Sequence, residues 1–369
     1  MTELTTLPGA HPYASHAPIF TVDHRHRGEL ARDLLRMDVC EGTLGLRTLV
    51  VHLHAVGPAS DGSAGDLSYL DGEIVHLGST LDVTIGPPSG ERKIFHGVVS
   101  ALELGFTEGG PPIVSLYAED ALMKLRISER TARYESLSDA DIVREVASAH
   151  GLAFEAHGVT GPTNPLVQQW EESDLAFARG RAVRLNAELW ADDDDKIHLA
   201  ERGDRPGTEI TLVQGNELIA AELRADVAHQ RTKVTYRGWD DKAVEAATGD
   251  AEVAIVQAEV AGGGKLGPDV VGDIFSKSDL VRSRRDTLTS ATARAYAEAE
   301  MRRRARGFVT VEGTTSGTPE LVPGAKLDLR RVGRPFEGAG YRCTYAQHSY
   351  DLTTGYRTRF RAERPELAS

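Results

Sequence analysis

Cysteine is scarce in this chain of 369 residues: Cys40 and Cys343 are its two cysteines, and they lie far apart in the sequence. Neither stands at the spacing of a metal-ligand motif, so we expect two reduced thiols in a cytosolic protein. Long apolar runs are missing as well, because no stretch approaches the ~20 apolar residues that a membrane helix needs. The N-terminal segment 1–17 lacks the basic and apolar regions of a secretory signal, and we expect it to form a flexible arm.

Positive charge is outnumbered in the sequence. There are 42 Lys and Arg against 55 Asp and Glu, for a net charge of −13. Nucleic-acid binders take most of their affinity from Lys and Arg on phosphates, so we expect no nucleic-acid partner. An acidic surface favours solubility or a basic protein partner. The length predicts two or three domains, each with its own core.

Familiar catalytic motifs are missing too. The sequence has no GxSxG, HExxH or CxxC, so it offers no hydrolase triad and no zinc hydrolase site. Residues 262–265 (GGGK) resemble part of a phosphate-binding loop, but Leu266 replaces the Ser or Thr, which favours a flexible loop. Asp192–Asp195 lack the interleaved ligands and central Gly of a calcium loop, which favours a hairpin turn in solvent. We therefore expect no catalytic residue and no cofactor.

Two further groups have an ordinary structural interpretation. His52 and His54 share one face of a predicted strand, and His24 and His26 could join them, but no Cys or acidic ligand stands at a fixed spacing. We therefore expect no metal site there. The arginines at 302–306 fall at the end of a predicted helix, where cations complement the helix dipole.

Short strands separated by Pro and Gly turns dominate the region up to position 120. The expected strands are at 19–22, 46–54, 78–85, 94–104 and 113–117, with turns at 86–90 and 109–112. No helical pattern alternates with them. This favours an antiparallel barrel or sandwich over a parallel sheet, and we assign residues 18–120 to one domain.

The hydrophobic period becomes helical at Ser138. Ser138 and Asp141 form a capping-box pattern, and Gly151 ends the helix that they begin. Ser173 is a good N-cap for a second helix, with Asn186 as its stop. The strand, acidic turn and strand at 188–199 predict a hairpin. We assign residues 121–206 to a small α+β middle domain.

Strands resume in the last third, residues 207–369. They are expected at 209–213, 233–236, 326–330, 341–349 and 356–361. Residues 241–285 are polar and rich in Gly, so we expect a long loop there. A helix is predicted at 290–306, with Gly307 as its stop.

Parts of the first and last regions repeat each other. The segment GSTLDV at 78–83 is echoed by GAKLDL at 324–329, FHG at 95–97 by FEG at 336–338, and AE at 118–119 by AE at 362–363. The order of the segments is kept, and the separation between partners is nearly constant. Three ordered matches at a nearly constant offset predict that one β unit was duplicated.

Several motifs in fixed order carry a family resemblance. They are LSDADIVREVASAHG at 137–151, VQQWEESDLAF at 167–177, RGWD at 237–240, LVPG at 321–324, FEG at 336–338, His348, and GYRTRF at 355–360. In these motifs the chain resembles the phage late control D proteins, the baseplate hub family that includes the hub part of VgrG-type spike proteins. The resemblance covers about residues 17–365.

This resemblance implies a mixed α+β, β-rich fold, with two tandem tube-like antiparallel β-barrels and the small middle domain between them. It also implies a function: a structural baseplate hub, homotrimeric, that joins a hexameric tail tube to a trimeric spike. VgrG members continue into a needle, whereas this sequence ends at Ser369, so the spike is expected to be a separate polypeptide. Other baseplate proteins are further expected partners, with no membrane contact in the free state. Assembly is expected in the bacterial cytoplasm, before incorporation into a particle.

The repeat and the resemblance together suggest residues for assembly contacts. Phe95 and Gly97 in the first unit, Phe336 and Gly338 in the second, and Trp239 between them are the candidate anchors. We expect no enzymatic activity. The alternative function is a tail-associated enzyme that degrades cell wall with one of the acidic clusters.

Overall fold

A computed structural model describes residues 16–58, 64–86, 90–260 and 263–368. Three expected features fall partly outside these residues: the N-terminal arm at 1–17, the turn at 86–90 and the GGGK segment at 262–265. Within the described residues, none of the helices is both long and apolar enough to cross a membrane.

The first region is almost entirely β. Its elements are β1 (Ile19–Val22), β2 (Arg25–His26), α1 (Gly28–Arg32), β3 (Leu34–Gly42), β4 (Thr48–His54), β5 (Val56–Pro58), β6 (Ala64–Leu67), β7 (Thr80–Ile85), β8 (Arg92–Gly105) and β9 (Ile113–Glu119). The five expected strands all occur, as β1, β4, β7, β8 and β9. Sequence reasoning missed β3, in which Met37 and Val39 point into the core while charged residues alternate with them.

The middle region contains the expected helices and hairpin. Its elements are α2 (Met123–Arg126), β10 (Glu129–Ser138), α3 (Asp139–Ala149), β11 (Phe154–His157), β12 (Thr163–Ser173), α4 (Asp174–Arg184), β13 (Ala187–Ala191) and β14 (Ile197–Glu201). Both predicted N-caps are confirmed. The Ser138 hydroxyl accepts a hydrogen bond from the Asp141 amide (3.1 Å), and the Ser173 hydroxyl accepts one from Ala176 (3.2 Å).

The last region adds the remaining elements. They are β15 (Glu209–Val213), β16 (Leu218–Ala225), β17 (Lys233–Asp240), β18 (Glu245–Glu252), two 3-10 turns (Val253–Ile255 and Gln257–Glu259), β19 (Lys265–Leu266), α5 (Gly267–Phe275), β20 (Asp279–Thr287), α6 (Ser290–Arg306), β21 (Val309–Thr315), β22 (Lys326–Arg330), β23 (Gly338–Asp351), β24 (Gly355–Arg364) and β25 (Glu366–Leu367). The helix at 290–306 was predicted with the bounds it has.

The expected long loop at 241–285 is wrong. This segment contains β18, α5 and β20, and β17 pairs with β18 antiparallel and with β20 parallel. On β18, Ala247, Gly249 and Ala251 face inward and let α6 lie very close. A Cβ on Gly249 would stand 2.0 Å from the Arg294 backbone nitrogen. Packing through Ala and Gly carries little hydrophobic signal, which is why the sequence pattern indicated a loop.

One large sheet crosses from the first region to the last. Thirteen of the described strands belong to it, in the order β16-β21-β24-β23-β3-β4-β9-β8-β7-β1-β2, with β22 and β15 attached beside β23. The strands of the two regions meet where β3 pairs with β23. In the described residues this sheet is open and joins the two regions, so the fold is β-rich with a large, mainly antiparallel sheet, and the two expected tandem barrels are not shown. The regions are joined because of the length of β23, which at 14 residues extends well past the shorter β22 and offers its edge to β3.

A buried ionic group fastens the middle region to the first. Arg205 lies 2.7 Å from a carboxylate oxygen of Glu41 and 3.3 Å from one of Glu188. Arg47 also approaches Glu41, at 3.2 Å, and the Arg205 guanidinium lies over the Trp190 ring. Buried charges are tolerated when they are paired in this way, and these pairs join the two regions.

Candidate assembly interface

Two groups of five strands in the large sheet have the same neighbour order. The first group is β3, β4, β9, β8 and β7, and the second is β16, β21, β24, β23 and β22. Their registers agree as well, because Leu81 on β7 lies opposite Gly97, and Leu327 on β22 lies opposite Tyr341. Gly97 and Tyr341 are therefore equivalent positions. We call these groups the first and second repeat.

The same irregularity recurs in both repeats. The register between β8 and β9 shifts between Val99 and Ala101, and that between β23 and β24 shifts between Cys343 and Tyr345. Val99 follows Gly97 by the same number of positions as Cys343 follows Tyr341, so the two bulges coincide in the alignment of the repeats. A bulge is a local feature that families keep, so its recurrence at equivalent places supports the predicted duplication.

A second bulge relates β3 to β16. Against β4, the register of β3 shifts between Leu34 and Arg36; against β21, that of β16 shifts between Leu218 and Ala220. Leu34 is thus equivalent to Leu218, and Arg36 to Ala220. Every strand of the first repeat therefore has a counterpart in the second.

The turn before β7 and the turn before β22 are also equivalent. Gly78 donates its backbone N–H to the Val99 carbonyl and Gly324 donates to the Cys343 carbonyl, at 2.9 Å in both cases. The two glycines have φ of +90° and +98°, a conformation that costs a residue with a Cβ. The predicted equivalence of Gly78 with Gly324, and of Leu81 with Leu327, is confirmed.

The predicted equivalence of Phe95 with Phe336, and of Gly97 with Gly338, is wrong. Register makes Tyr341 the counterpart of Gly97. Phe95 is a strand residue of β8, whereas Phe336 lies in the turn before β23. The short FxG match in the sequence arose from two different local structures.

The candidate anchors of the first repeat act inside the subunit. Phe95 is 0% exposed in the first core, so its side chain reaches no surface. A Cβ on Gly97 would stand 2.3 Å from the Glu119 carbonyl oxygen, so this glycine lets β8 and β9 approach closely. Both residues therefore have packing roles within the chain, and their role in assembly stays a prediction.

The other three candidate anchors lie nearer the surface. Trp239 is 49% exposed on β17. Phe336 is half-buried against the third core, and its carbonyl accepts a hydrogen bond from the Tyr341 hydroxyl (2.8 Å). Gly338 begins β23 with φ of +113°. Sequence reasoning did not name Trp170 and Phe106 as anchors, and these residues are 68% and 71% exposed.

The two strands of the junction between the repeats, β23 and β3, have counterparts with unpaired edges in the described residues. Residues 345–351 of β23 pair with residues 36–42 of β3. The equivalent part of β8, from Ala101 onward, has no strand on the corresponding edge in the described part of the chain. The counterpart of β3 is β16, which lies at the edge of the sheet. Sheet edges of this kind are sites for pairing with another chain.

One cluster of side chains in the described residues has the composition of a metal site. Glu155, His157 and His198 have ligand atoms within 4.8 Å of one another, and Nε2 of His157 lies 3.0 Å from Nδ1 of His198. Asp192 holds the other nitrogen of His198 at 2.8 Å, and Lys196 bonds the Glu155 carboxylate at 3.1 Å. The parallel pairing of β11 with β14 brings these residues together, so no local spacing could have revealed them.

The histidines named in the sequence analysis lie outside this cluster. His52 bonds the Ser115 hydroxyl through Nδ1 (2.9 Å), and His24 and His26 are exposed at the far edge of the sheet. His348 is fully enclosed beside Tyr356, whose hydroxyl lies 2.7 Å from Nδ1. Burial, with a smaller contribution from the nearby Arg47 charge, lowers the pKa of His348 to about 3, so the ring is held neutral.

Both cysteines are free thiols, as expected. Burial raises the pKa of Cys343 to about 12, and burial also raises that of Cys40. Thiols held protonated are poor nucleophiles and poor metal ligands.

A cleft of about 690 Å³ lies between α6, β15 and β22. Arg302, Arg306 and Glu259 line it, and Arg306 makes two 2.6 Å bonds to the Glu259 carboxylate. Arg306 also donates to the side chain of Asn186 (2.7 Å). These charges bond one another and tie α6 to the middle region, which is a structural arrangement.

Comparisons with known proteins concern the family and the fold. A family model described as the Alg8 N-terminal domain matches residues 59–350. No curated protein matches the sequence. Among solved structures, the 43 kDa tail protein of prophage MuSo2 from Shewanella oneidensis is similar with a TM-score of 0.69 and 14% identity, covering 95% of this chain and 99% of that one.

Two further structures agree. The tail protein from Neisseria meningitidis MC58 has a TM-score of 0.65 and 12% identity, with 95% of this chain and 96% of that chain covered. The E. coli c3393 protein, a component of the type VI secretion system, has a TM-score of 0.53 and 13% identity, with 90% and 73% covered. At these identities the likeness establishes a shared β-rich fold.

Proposed function

The chain belongs to the family of the Alg8 N-terminal domain; from its repeated strands and from the fold that it shares with tail proteins, we propose that it is the structural baseplate hub of a phage tail or of a phage-tail-like contractile injection system. Three copies form a ring that joins a hexameric tail tube to a trimeric spike carried by a separate protein. The hub assembles in the bacterial cytoplasm with other baseplate proteins and is then incorporated into the particle. It performs no catalysis.

The repeated strand register is the observation that carries this proposal. Each chain contains two β units with the same strand order and the same bulges. Three such chains in a ring offer six similar β units to a hexameric tube. The same ring has threefold symmetry, so it offers three equivalent positions to a trimeric spike. Head-to-tail contacts close into a ring when each neighbour offers an equivalent surface, and the internal repeat supplies such surfaces.

The proteins that share the fold support the same role. Two of them are the 43 kDa tail protein of prophage MuSo2 and the tail protein from Neisseria meningitidis MC58. The E. coli secretion-system component is itself described as similar to the T4 tail proteins gp27 and gp5. Fold likeness alone does not define function. The internal repeat is what favours a protein that joins a sixfold partner to a threefold one.

The chemistry of the chain is consistent with a structural role. Carboxylates of the two ionic groups described above are bonded to arginines, as Glu41 is to Arg205 and Glu259 is to Arg306. A carboxylate engaged by a guanidinium is poorly placed to carry and donate the proton that glycan cleavage requires.

Mass measurement and reconstitution test the proposal. The purified chain, alone and mixed with candidate tail tube and spike proteins, should give a particle containing three copies, visible by light scattering and electron microscopy as a ring. A peptidoglycan zymogram should show no clearing. Clearing that an acidic-cluster substitution abolishes would support the cell-wall enzyme instead, and a chain that stays monomeric with every tube and spike candidate would rule out the hub.

A further inference from the structure

We propose that β16 of one copy pairs antiparallel with the outer half of β8 of the next copy. This pairing is the intermolecular counterpart of the β3–β23 junction inside the chain. It rests on the proposed function in one respect, since it requires several copies to meet. It goes further by naming the two strands, their direction and their register.

The β3–β23 junction inside the chain shows which contacts two such strand edges make when they pair. Where β23 runs beside β3, His348 lies opposite Val39, and the two are 3% and 1% exposed. On the other face of the sheet, the Gln347 side chain donates to the Asp38 carboxylate at 2.8 Å. A paired junction of this kind therefore buries side chains on one face of the sheet and forms a hydrogen bond between side chains on the other face.

The alignment of the two repeats shows which residues of β8 and β16 are equivalent to the residues of this junction. The equivalence of Tyr341 with Gly97 aligns all of β23 with β8, and the equivalence of Leu34 with Leu218 aligns β3 with β16. Counting along each strand from these positions turns the opposed pair His348 and Val39 into Leu104 and Leu223. In the same way, Gln347 and Cys40 become Glu103 and Arg224.

The side chains at these positions are complementary in the derived register. Leu104 packs against the first core and Leu223 against the third, so both point to the core face and would form an aliphatic pair. Glu103 and Arg224 point to the opposite face, and their charges are opposite. Directly opposed aliphatic or oppositely charged residues stabilise antiparallel strands.

Both charged side chains are accessible in the single chain. Glu103 accepts a hydrogen bond from the Tyr117 hydroxyl (2.6 Å), and a carboxylate can accept several more. Arg224 bonds Asp226 and keeps 70% of its side chain exposed. The pair can form without breaking any buried contact.

The occupant of each edge is a second copy of this chain. Each copy has one edge of the β3 type, on β16, and one of the β23 type, on β8. A head-to-tail arrangement uses both edges and leaves none open when the ring closes.

Disulfide trapping in the assembled protein tests the register. The variant Glu103→Cys with Arg224→Cys places two thiols opposite each other, within the reach of a disulfide. The matched control is Glu103→Cys with Glu222→Cys, which keeps the face but moves one thiol to a diagonal position, about 7–8 Å away. Single variants control for Cys40 and Cys343. On mild oxidation, we expect covalent dimers and trimers for the first pair, about tenfold or more above the control, because disulfide formation depends steeply on thiol separation.

Charge reversal gives a second measurement. Glu103→Arg should weaken association about fivefold, and adding Arg224→Glu should restore it, because each junction of the ring regains an opposed pair. A trimer that forms normally while neither the cross-link nor the reversal has an effect would overturn this pairing and leave the hub proposal standing. Cross-links within one chain, or to the tube protein instead of a second copy, would also overturn it.

Discussion

Nη2 of Arg205 lies 2.7 Å from Oε1 of Glu41, although the two residues are 164 positions apart. This contact joins the end of the middle region to β3, the strand at which the two repeats meet. It is one of several contacts that hold the middle region against the first, together with the pair of Arg47 and Asp193.

Arg205→Ala should destabilise the protein strongly. It leaves Glu41 and Glu188 buried near each other without their shared partner, and removing one member of a buried ion group typically costs about 3–5 kcal/mol. Chemical denaturation measures the free energy of unfolding. The control is Arg36→Ala, which removes an exposed ion pair with Asp38 and should cost about 1 kcal/mol or less. Equal effects of the two substitutions would contradict the structural role of Arg205.

Two glycines should respond to alanine in opposite directions. Gly97→Ala puts a Cβ against the Glu119 carbonyl, and overpacking of this kind costs about 1–3 kcal/mol. Gly180→Ala, inside α4 with nothing within 4 Å of the new Cβ, should stabilise by about 0.5–1 kcal/mol. Thermal unfolding of the two variants beside the parent chain provides the measurement, and a stabilising Gly97→Ala would be inconsistent with the close approach of β8 to β9.

His348 should make stability depend on pH in a defined window. An unfolded histidine has a pKa of about 6.5, whereas burial lowers that of folded His348 to about 3. The contribution of the neutral ring is complete above about pH 6.5. As the pH falls from about 6.5 toward 3, the unfolded chain takes up a proton that the folded chain refuses, and stability drops by about 1.4 kcal/mol per pH unit.

The comparison that isolates this effect is His348→Gln. The variant lacks the titrating ring, so its free energy of unfolding, measured by denaturant titration at several pH values, should fall less steeply below about pH 6.5. Parallel slopes for the parent chain and the variant would mean that the pKa of His348 is the same in the folded and the unfolded chain, which would contradict the burial effect.

Phe336→Asp should impair the second repeat. The ring packs against the third core beside Tyr341, and a carboxylate there loses apolar contacts and solvation together. We expect a loss on the order of 2 kcal/mol in the free energy of unfolding and, if the proposed trimer forms, a smaller trimer fraction in light scattering. Lys265→Asp introduces the same side chain at an exposed position, and it should leave both unfolding and light scattering nearly unchanged.

Local features of the chain could be predicted because their causes lie close together in the sequence. Ser138 and Ser173 begin helices because each hydroxyl bonds an amide in the first turn of its helix. The helix at 290–306 was recognised from its alanine stripe and its glycine stop. Strands such as β7 and β8 were recognised from alternation and from the turns that bound them.

Tertiary structure decided everything that depends on residues distant in sequence. The alignment of Gly97 with Tyr341, in place of Phe95 with Phe336, follows from strand pairing, which a short sequence match cannot contain. Likewise β18 is a strand because α6 packs on its Ala and Gly residues, and His157 meets His198 because β11 runs beside β14. The junction of β3 with β23 has the same origin: a backbone edge carries no side-chain pattern, so only the folded sheet determines which strand occupies it.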